Sequence, residues 1–226
     1  MIAKEKYFSP ETIDDKAIQM IKSVENILGK LKRQEFIPQK SALIVIDMQK
    51  YFCDESSHAF IPSVTAIIPK IKLLIDSYKT KNIPVIFTQH INTSENAGMM
   101  QKWWGDVLFL SSELSQIIPE INIENSHLIK KSQYDAFYNT DLEVFLSKNN
   151  ISQLVITGVM THLCCETTAR SAFVNGFQSF LCIDSSATYN EDFHAAAMLN
   201  LAHGFSELTL SSEICNKLNK TNKNEA

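Results

Sequence analysis

A chain of 226 residues with 45% hydrophobic and 20% charged side chains has the composition of one globular domain with a sizeable core. Its net charge of -4 comes without a basic stripe, so nucleic acid is not an expected partner, and no apolar run reaches the roughly 18 residues of a membrane span. The five cysteines, at 53, 164, 165, 182 and 215, form no CxxC pair and no zinc-ligand spacing. With no apolar signal segment at the N-terminus, this pattern fits a reducing cytoplasm.

Ser9-Pro10-Glu11 reads as a helix cap with proline at the first helical position. Ile13, Ala17, Met20, Ile21, Val24, Ile27, Leu28 and Leu31 then recur every three or four residues, as in an amphipathic helix. Its stripe either packs on the chain's own core or meets a neighbouring subunit. Six apolar runs with strand character follow: Ala42–Ile46, Pro84–Thr88, Leu128–Ile129 with its flanks, Leu154–Thr157, Phe180–Ile183 and Glu207–Leu210. Several are continuous rather than alternating, as expected of strands buried on both faces. Helical patterns lie between them. One has its stripe at Ile71, Leu74, Ile75 and Tyr78 after Pro69; the others run Asp141–Leu146, Thr161–Asn175 and Phe193–Ala202. Strands alternating with helices predict a three-layer α/β/α, Rossmann-like fold. Its six-stranded sheet is mostly parallel, and the N-terminal helix is an addition to it. The segments are an N-terminal helical extension over 1–38, an α/β domain over 39–215, and a polar tail over 216–226 expected to be disordered.

In a parallel sheet the ligand crevice lies at the carboxyl ends of the strands. Three reactive side chains follow three different strands. Asp47 follows the first, Lys131 follows the third, and Cys164 lies just past the fourth in Gly158-Val159-Met160-Thr161-His162-Leu163-Cys164-Cys165. A cysteine in the first turn of a helix has unpaired N–H groups and the positive end of the dipole nearby, which favours thiolate. Taken singly, each residue has a plainer reading: a capping aspartate, a solvated lysine, a small buried hydrophobe. Convergence at one sheet edge is what makes them a candidate site. Cys165 reads as a packing residue on another helix face, as do Cys53, Cys182 and Cys215. His162 is tempting as a base but stands two residues from the thiol.

These residues resemble the isochorismatase-like cysteine hydrolases over roughly residues 40–212. The Asp-x-Gln setting matches Asp47 and Gln49. The Lys-x-x-Tyr-x-Ala-Phe pattern matches Lys131, Tyr134, Ala136 and Phe137. The Gly-Val-x-Thr-x-x-Cys turn matches Gly158, Val159, Thr161 and Cys164. Asn139-Thr140-Asp141-Leu142 and Thr168-Ala169-Arg170-Ser171-Ala172 look like the family as well. The resemblance implies a cis peptide between Val159 and Met160. It also implies an oxyanion hole from the N–H groups of Met160 and Cys164, and a triad in which Asp47 is the base, Lys131 the charge partner and Cys164 the nucleophile.

Two departures narrow the reading. Family members acting on nicotinamide carry a metal on an Asp-x-His pair and a further His, whereas here Thr88-Gln89-His90-Ile91-Asn92-Thr93 has one imidazole and no carboxylate. No metal and no cofactor are expected, and His90 reads as a pocket hydrogen-bonder. Members that cleave isochorismate need no thiol, so Cys164 argues for acyl chemistry. Gln49, Phe52, His90, Trp103, Trp104, Tyr134, Phe137 and Tyr189 are candidate pocket residues. The expected protein is a metal-independent amidohydrolase on a small amide, carbamoyl or ureido substrate. The alternatives are an isochorismatase proper, a nicotinamidase-like hydrolase, or a non-catalytic scaffold. No carrier-protein segment follows the core, so a two-domain siderophore-type arrangement is not expected. A homo-oligomer, dimer or tetramer, is expected, with the N-terminal helix at a subunit contact.

Overall fold

The computed structural model describes residues 2–31 and 33–220. After α1 (Ile13–Leu28) the chain alternates strands and helices. The order is β1 (Ser41–Ile46), α2 (Lys50–Cys53), α3 (Val64–Thr80), β2 (Val85–His90), α4 (Met99–Trp104), β3 (His127–Lys131), α5 (Leu142–Lys148) and β4 (Gln153–Val159). A π-turn (Thr161–Cys165) then leads into α6 (Glu166–Val174), β5 (Gln178–Ala187), α7 (Glu191–Gly204), β6 (Ser206–Thr209) and α8 (Ser211–Lys220). The six strands form one sheet in the order β3-β2-β1-β4-β5-β6, and all five pairings are parallel. β1 and β4 are buried at every residue, as central strands covered on both faces must be. β3 is one of the two edge strands, and it exposes Leu128 and Lys130. α3 and α8 pack on each other and on the sheet, while α1, α6 and α7 form the second helical layer.

Where the elements differ from the sequence reading, tertiary packing is the cause. α3 begins at Val64, not after Pro69, so the proline sits inside the helix. It removes one ladder hydrogen bond, but Val64, Ala66 and Ile67 are buried ahead of it and hold that first turn. Ser9 to Thr12 form a turn instead of a first helical turn, with Ser9 C=O accepting from Thr12 N–H at 3.1 Å. The helix itself buries Ile13, Ala17, Met20, Ile21 and Val24 against α7 and β5 of its own chain. The stripe thus has its partner within the chain, and Ile18 and Ile27 are the apolar side chains it turns outward. The polar tail starts later than read: residues 216–220 belong to α8, which buries Ile214, Cys215 and Leu218 at helical spacing. The rest of the tail lies outside the described residues. β5 runs on to Ala187, and its register to β4 slips between Leu181–Ile156 and Ser186–Gly158. The slipped stretch holds Asp184, which accepts from Ser211 N–H at 2.8 Å and from the Ser211 hydroxyl, capping α8.

Candidate active site

The strand order places the ends of β3, β2, β1 and β4 side by side. Asp47 is the first residue past β1 and holds a left-handed backbone with φ of 50°, a conformation that aspartate tolerates better than most. Lys131 is the last residue of β3, in register with His90 of β2. Cys164 lies in the π-turn beyond β4; such turns recur at functional sites. The turn folds both Leu163 N–H and Cys165 N–H onto the Met160 carbonyl, at 3.1 and 3.2 Å. The Val159–Met160 peptide bond is cis.

These placements bring the three side chains together. Lys131 Nζ lies 2.7 Å from Asp47 Oδ2, with both side chains wholly buried. The same ammonium donates to Cys164 Sγ at 3.4 Å and to the Gln133 carbonyl at 3.0 Å. Its three donors are therefore all in use. Burial alone would lower the Lys131 pKa, but Asp47 and then Cys164 outweigh it and raise the group to about 12. Burial also dominates at Cys164 and pushes its thiol up to about 12, against the opposing pull of Lys131, while a hydrogen bond to Asp47 raises it further. Burial at this position thus opposes the preference for thiolate expected of a helix start.

Thr88 of β2, read from the sequence only as part of a strand, orients Asp47. Its hydroxyl donates to Asp47 Oδ1 at 2.6 Å and accepts from Asp47 N–H at 3.1 Å. The signal was available, since a threonine in a buried strand next to β1 needs a polar partner.

Above this cluster opens a cavity of about 270 Å³, room for on the order of ten non-hydrogen atoms at liquid-like density. Met160, Cys164, Phe52, His90, Trp104, Tyr134 and Tyr189 of the predicted set line it. Trp104 Nε1 donates to the Tyr134 hydroxyl at 2.6 Å, fixing one wall. Three predicted pocket residues lie elsewhere. Gln49 is fully buried, and its amide is spent on backbone: it accepts from His90 N–H at 2.7 Å and donates to the carbonyls of His90 and Ser115 at 3.0 and 2.8 Å. Phe137 packs on Phe177. Trp103 is 75% exposed and does not line the cavity. The sequence reading missed Lys4, Tyr51, His58 and Asp106, which line the mouth. They come from the chain's start, from the four-residue helix α2 and from loops, where no periodicity marks them.

His90 is the residue nearest to a metal ligand. Its Nε2 meets Asn92 Oδ1 at 3.0 Å; burial first, then the Lys131 charge, lower its pKa to about 4. No group of three or more His, Cys, Asp or Glu side chains among the described residues could hold an ion. One neutral imidazole against an amide is a poor donor set for zinc or iron. His162 stacks on Phe193 and bonds the Thr188 hydroxyl at 2.6 Å, away from the thiol. All five cysteines are free, Cys164 and Cys165 included. No helix among the described residues is long and apolar enough to cross a membrane.

A family model described as isochorismatase domain matches residues 41–213. Nicotinamidase 3 of Arabidopsis thaliana is 37% identical over 186 residues, covering 80% of this chain and 88% of that protein. Enterobactin synthase component B of Escherichia coli K12 is 30% identical over 182 residues; the match spans 79% of this chain and 64% of the relative's length. Among solved structures, a cysteine hydrolase from Pseudomonas syringae pv. phaseolicola superposes with a TM-score of 0.81 at 23% identity, covering 84% of this chain and 98% of the other.

Proposed function

This chain belongs to the isochorismatase family of hydrolases, and from that premise we propose that it is a metal-independent cysteine amidohydrolase acting on a small amide, carbamoyl or ureido substrate. The observation that carries this reading is the buried contact of Lys131 with both Asp47 and Cys164.

The chemistry then runs in these steps. Asp47 takes the thiol proton as Cys164 Sγ attacks the carbonyl carbon. A base within hydrogen-bond reach is required because burial holds the thiol protonated. Lys131 keeps a positive charge beside both the carboxylate and the sulfur, which stabilises the thiolate as it forms. The oxyanion rests on the N–H groups of Met160 and Cys164. The C–N bond breaks, Asp47 returns its proton to the leaving amine, and a thioester remains on Cys164. Water then gives a proton to Asp47 and attacks the thioester. The acid leaves and the sulfur recovers its proton from Asp47. Thr88 holds the carboxylate in place throughout.

The relationship to nicotinamidase 3 supports a second reading, a planar aromatic amide held against Trp104 and Tyr134, without the help of a metal at His90. One screen separates the possibilities. Small linear amides, ureido acids, nicotinamide and isochorismate are incubated with the protein, and released ammonia and pyruvate are measured. Ammonia from an amide is the expected result; pyruvate without ammonia would make the chain a vinyl-ether hydrolase and remove the thioester from the account. A homo-oligomer, tested by light scattering at micromolar concentration, belongs to the same proposal; a monomer would end that part of it.

A further inference from the structure

Residues 2–8 are not an appendage to the site but part of its mouth. Ile2 and Lys4 line the same cavity as Cys164. The arm is tied on two sides. Glu5 N–H donates to the Tyr189 carbonyl at 2.7 Å, and the Asn190 amide donates to the Ala3 carbonyl at 3.1 Å. Phe8 N–H donates to the Ser63 hydroxyl at 3.0 Å, and the Tyr7 hydroxyl accepts from Thr188 N–H at 2.9 Å. It thereby bridges the loop after α2 and the loop after β5, across the opening above the cysteine.

Lys4 is the charged side chain this arm brings to the cavity. Its ammonium donates to the carbonyls of His58 and Phe60 at 2.5 and 3.0 Å and stands 4.4 Å from the Tyr189 ring centroid. An ammonium has three donors, and no carboxylate pairs with this one among the described residues. The other fully charged residue at the mouth, Asp106, is already engaged. It accepts from Val107 N–H at 2.8 Å and from the Tyr51 hydroxyl at 3.3 Å, and it faces His58 Nε2 at 3.6 Å. One charge at the mouth is thus answered and the other is open. The walls of the cavity that Lys4 and Cys164 share are largely apolar and aromatic, with Phe52, Met100, Leu108, Leu163 and Tyr189 among them.

The geometry points to Lys4 as a specificity-determining residue that binds a carboxylate at the far end of the substrate, with an apolar spacer between that carboxylate and the carbonyl presented to Cys164. The substrate class is then an amide or ureido acid, not an uncharged amide. This deepens the proposed amide chemistry and takes from it only the position of the scissile carbonyl.

The test compares the monoamides of succinate, glutarate and adipate with butanamide, pentanamide and hexanamide. In the unaltered protein, the best acid should have a kcat/KM about tenfold above its uncharged counterpart, mostly through KM. Lys4→Met should lower kcat/KM for the acids about tenfold more than for the uncharged amides, erasing the preference, and Lys4→Arg should restore most of it. The preference should shrink as salt is raised, because the group is solvent-exposed. Equal losses on both series in Lys4→Met would mean that Lys4 only anchors the arm, and would overturn the inference. Calorimetry on the Cys164→Ala protein separates this from failure of the chemistry. If the acids bind there more tightly than the amides, and Lys4→Met in that background removes the difference, the anion site stands even where nothing is turned over. Equal binding of both series would sink it whatever the catalytic outcome.

Discussion

At the floor of the cavity Asp47 and Lys131 meet with both side chains wholly removed from solvent. At its mouth, His58 and Asp106 meet at 3.6 Å with 66% and 47% of their side chains exposed. Removing one partner from a buried pair strands the other charge and costs about 3–5 kcal/mol. An exposed pair is screened, and its loss costs about 0–1 kcal/mol. On the proposed reading, chemistry sits where change is least tolerated, and discrimination between substrates sits where the surroundings forgive it. Fold and reaction can be held fixed while the mouth is remade, and experiments on the two regions should separate in the same way.

The largest effects belong to the floor. Cys164→Ala should lower turnover by on the order of 10³-fold or more, because positioning cannot replace a nucleophile. Asp47→Asn and Lys131→Met should approach the same loss, and the double variants should lose little more, as residues acting as one unit do. Additive losses in steady-state kinetics would break the picture of a shared site. Lys131→Met should also destabilise the fold by about 3–5 kcal/mol in chemical denaturation. Alkylation of Cys164 by iodoacetamide should keep rising with pH well beyond 9, since the thiol is pushed to about 12 and only thiolate reacts. A plateau near pH 8 would contradict the dominance of burial there.

The next effect is on acid stability, and it comes from histidines. Burial lowers His90 and His162 to about 4 and His194 to about 3, against about 6.5 in an unfolded chain. As pH falls below 6.5 the unfolded chain takes up protons first. The stabilisation these groups give is thus full above pH 6.5 and is lost as pH falls through 4. Denaturant midpoints measured from pH 7.5 down to 4.5 should fall steadily below 6.5, and His90→Asn should flatten part of that decline. A profile without slope over this interval would show that these imidazoles are not held neutral.

Smaller effects belong to the mouth and to metals. Asp106→Asn should change stability by less than about 1 kcal/mol and shift KM a few-fold, with kcat retained; a collapse of kcat would erase the distinction between the two regions. Dialysis against EDTA should leave activity intact, because the donors around His90 do not make a metal site. Loss of activity on chelation, with return on adding one zinc, iron or manganese per chain, would reverse that assignment.

The same division explains what the sequence could convey. Asp47, Lys131 and Cys164 were readable because each ends a short apolar run. A parallel sheet brings such ends together by rule, and the family motifs then supplied roles. Thr88 escaped notice because inside a strand it looks like any β-branched residue, and only the neighbouring strand shows what its hydroxyl meets. Gln49 was misread through its closeness to Asp47: its amide is a clamp between β2 and Ser115. Lys4 could not be foreseen at all, since its place depends on an arm folding back to Tyr189 and Ser63. α8 was shortened because a polar composition hid the spacing of Ile214, Cys215 and Leu218.

Gly158 carries a last consequence. It lies opposite Ile46 where β4 pairs with β1. A Cβ built on it would stand 2.1 Å from the Ile46 carbonyl oxygen, and its φ of 101° is itself closed to most side chains. The strands here are as near as bare backbones permit. Ile46 is one residue from Asp47, and Gly158 is six from Cys164. The absent side chain works as a gauge block: any Cβ here would have to displace the β1 backbone one residue before Asp47.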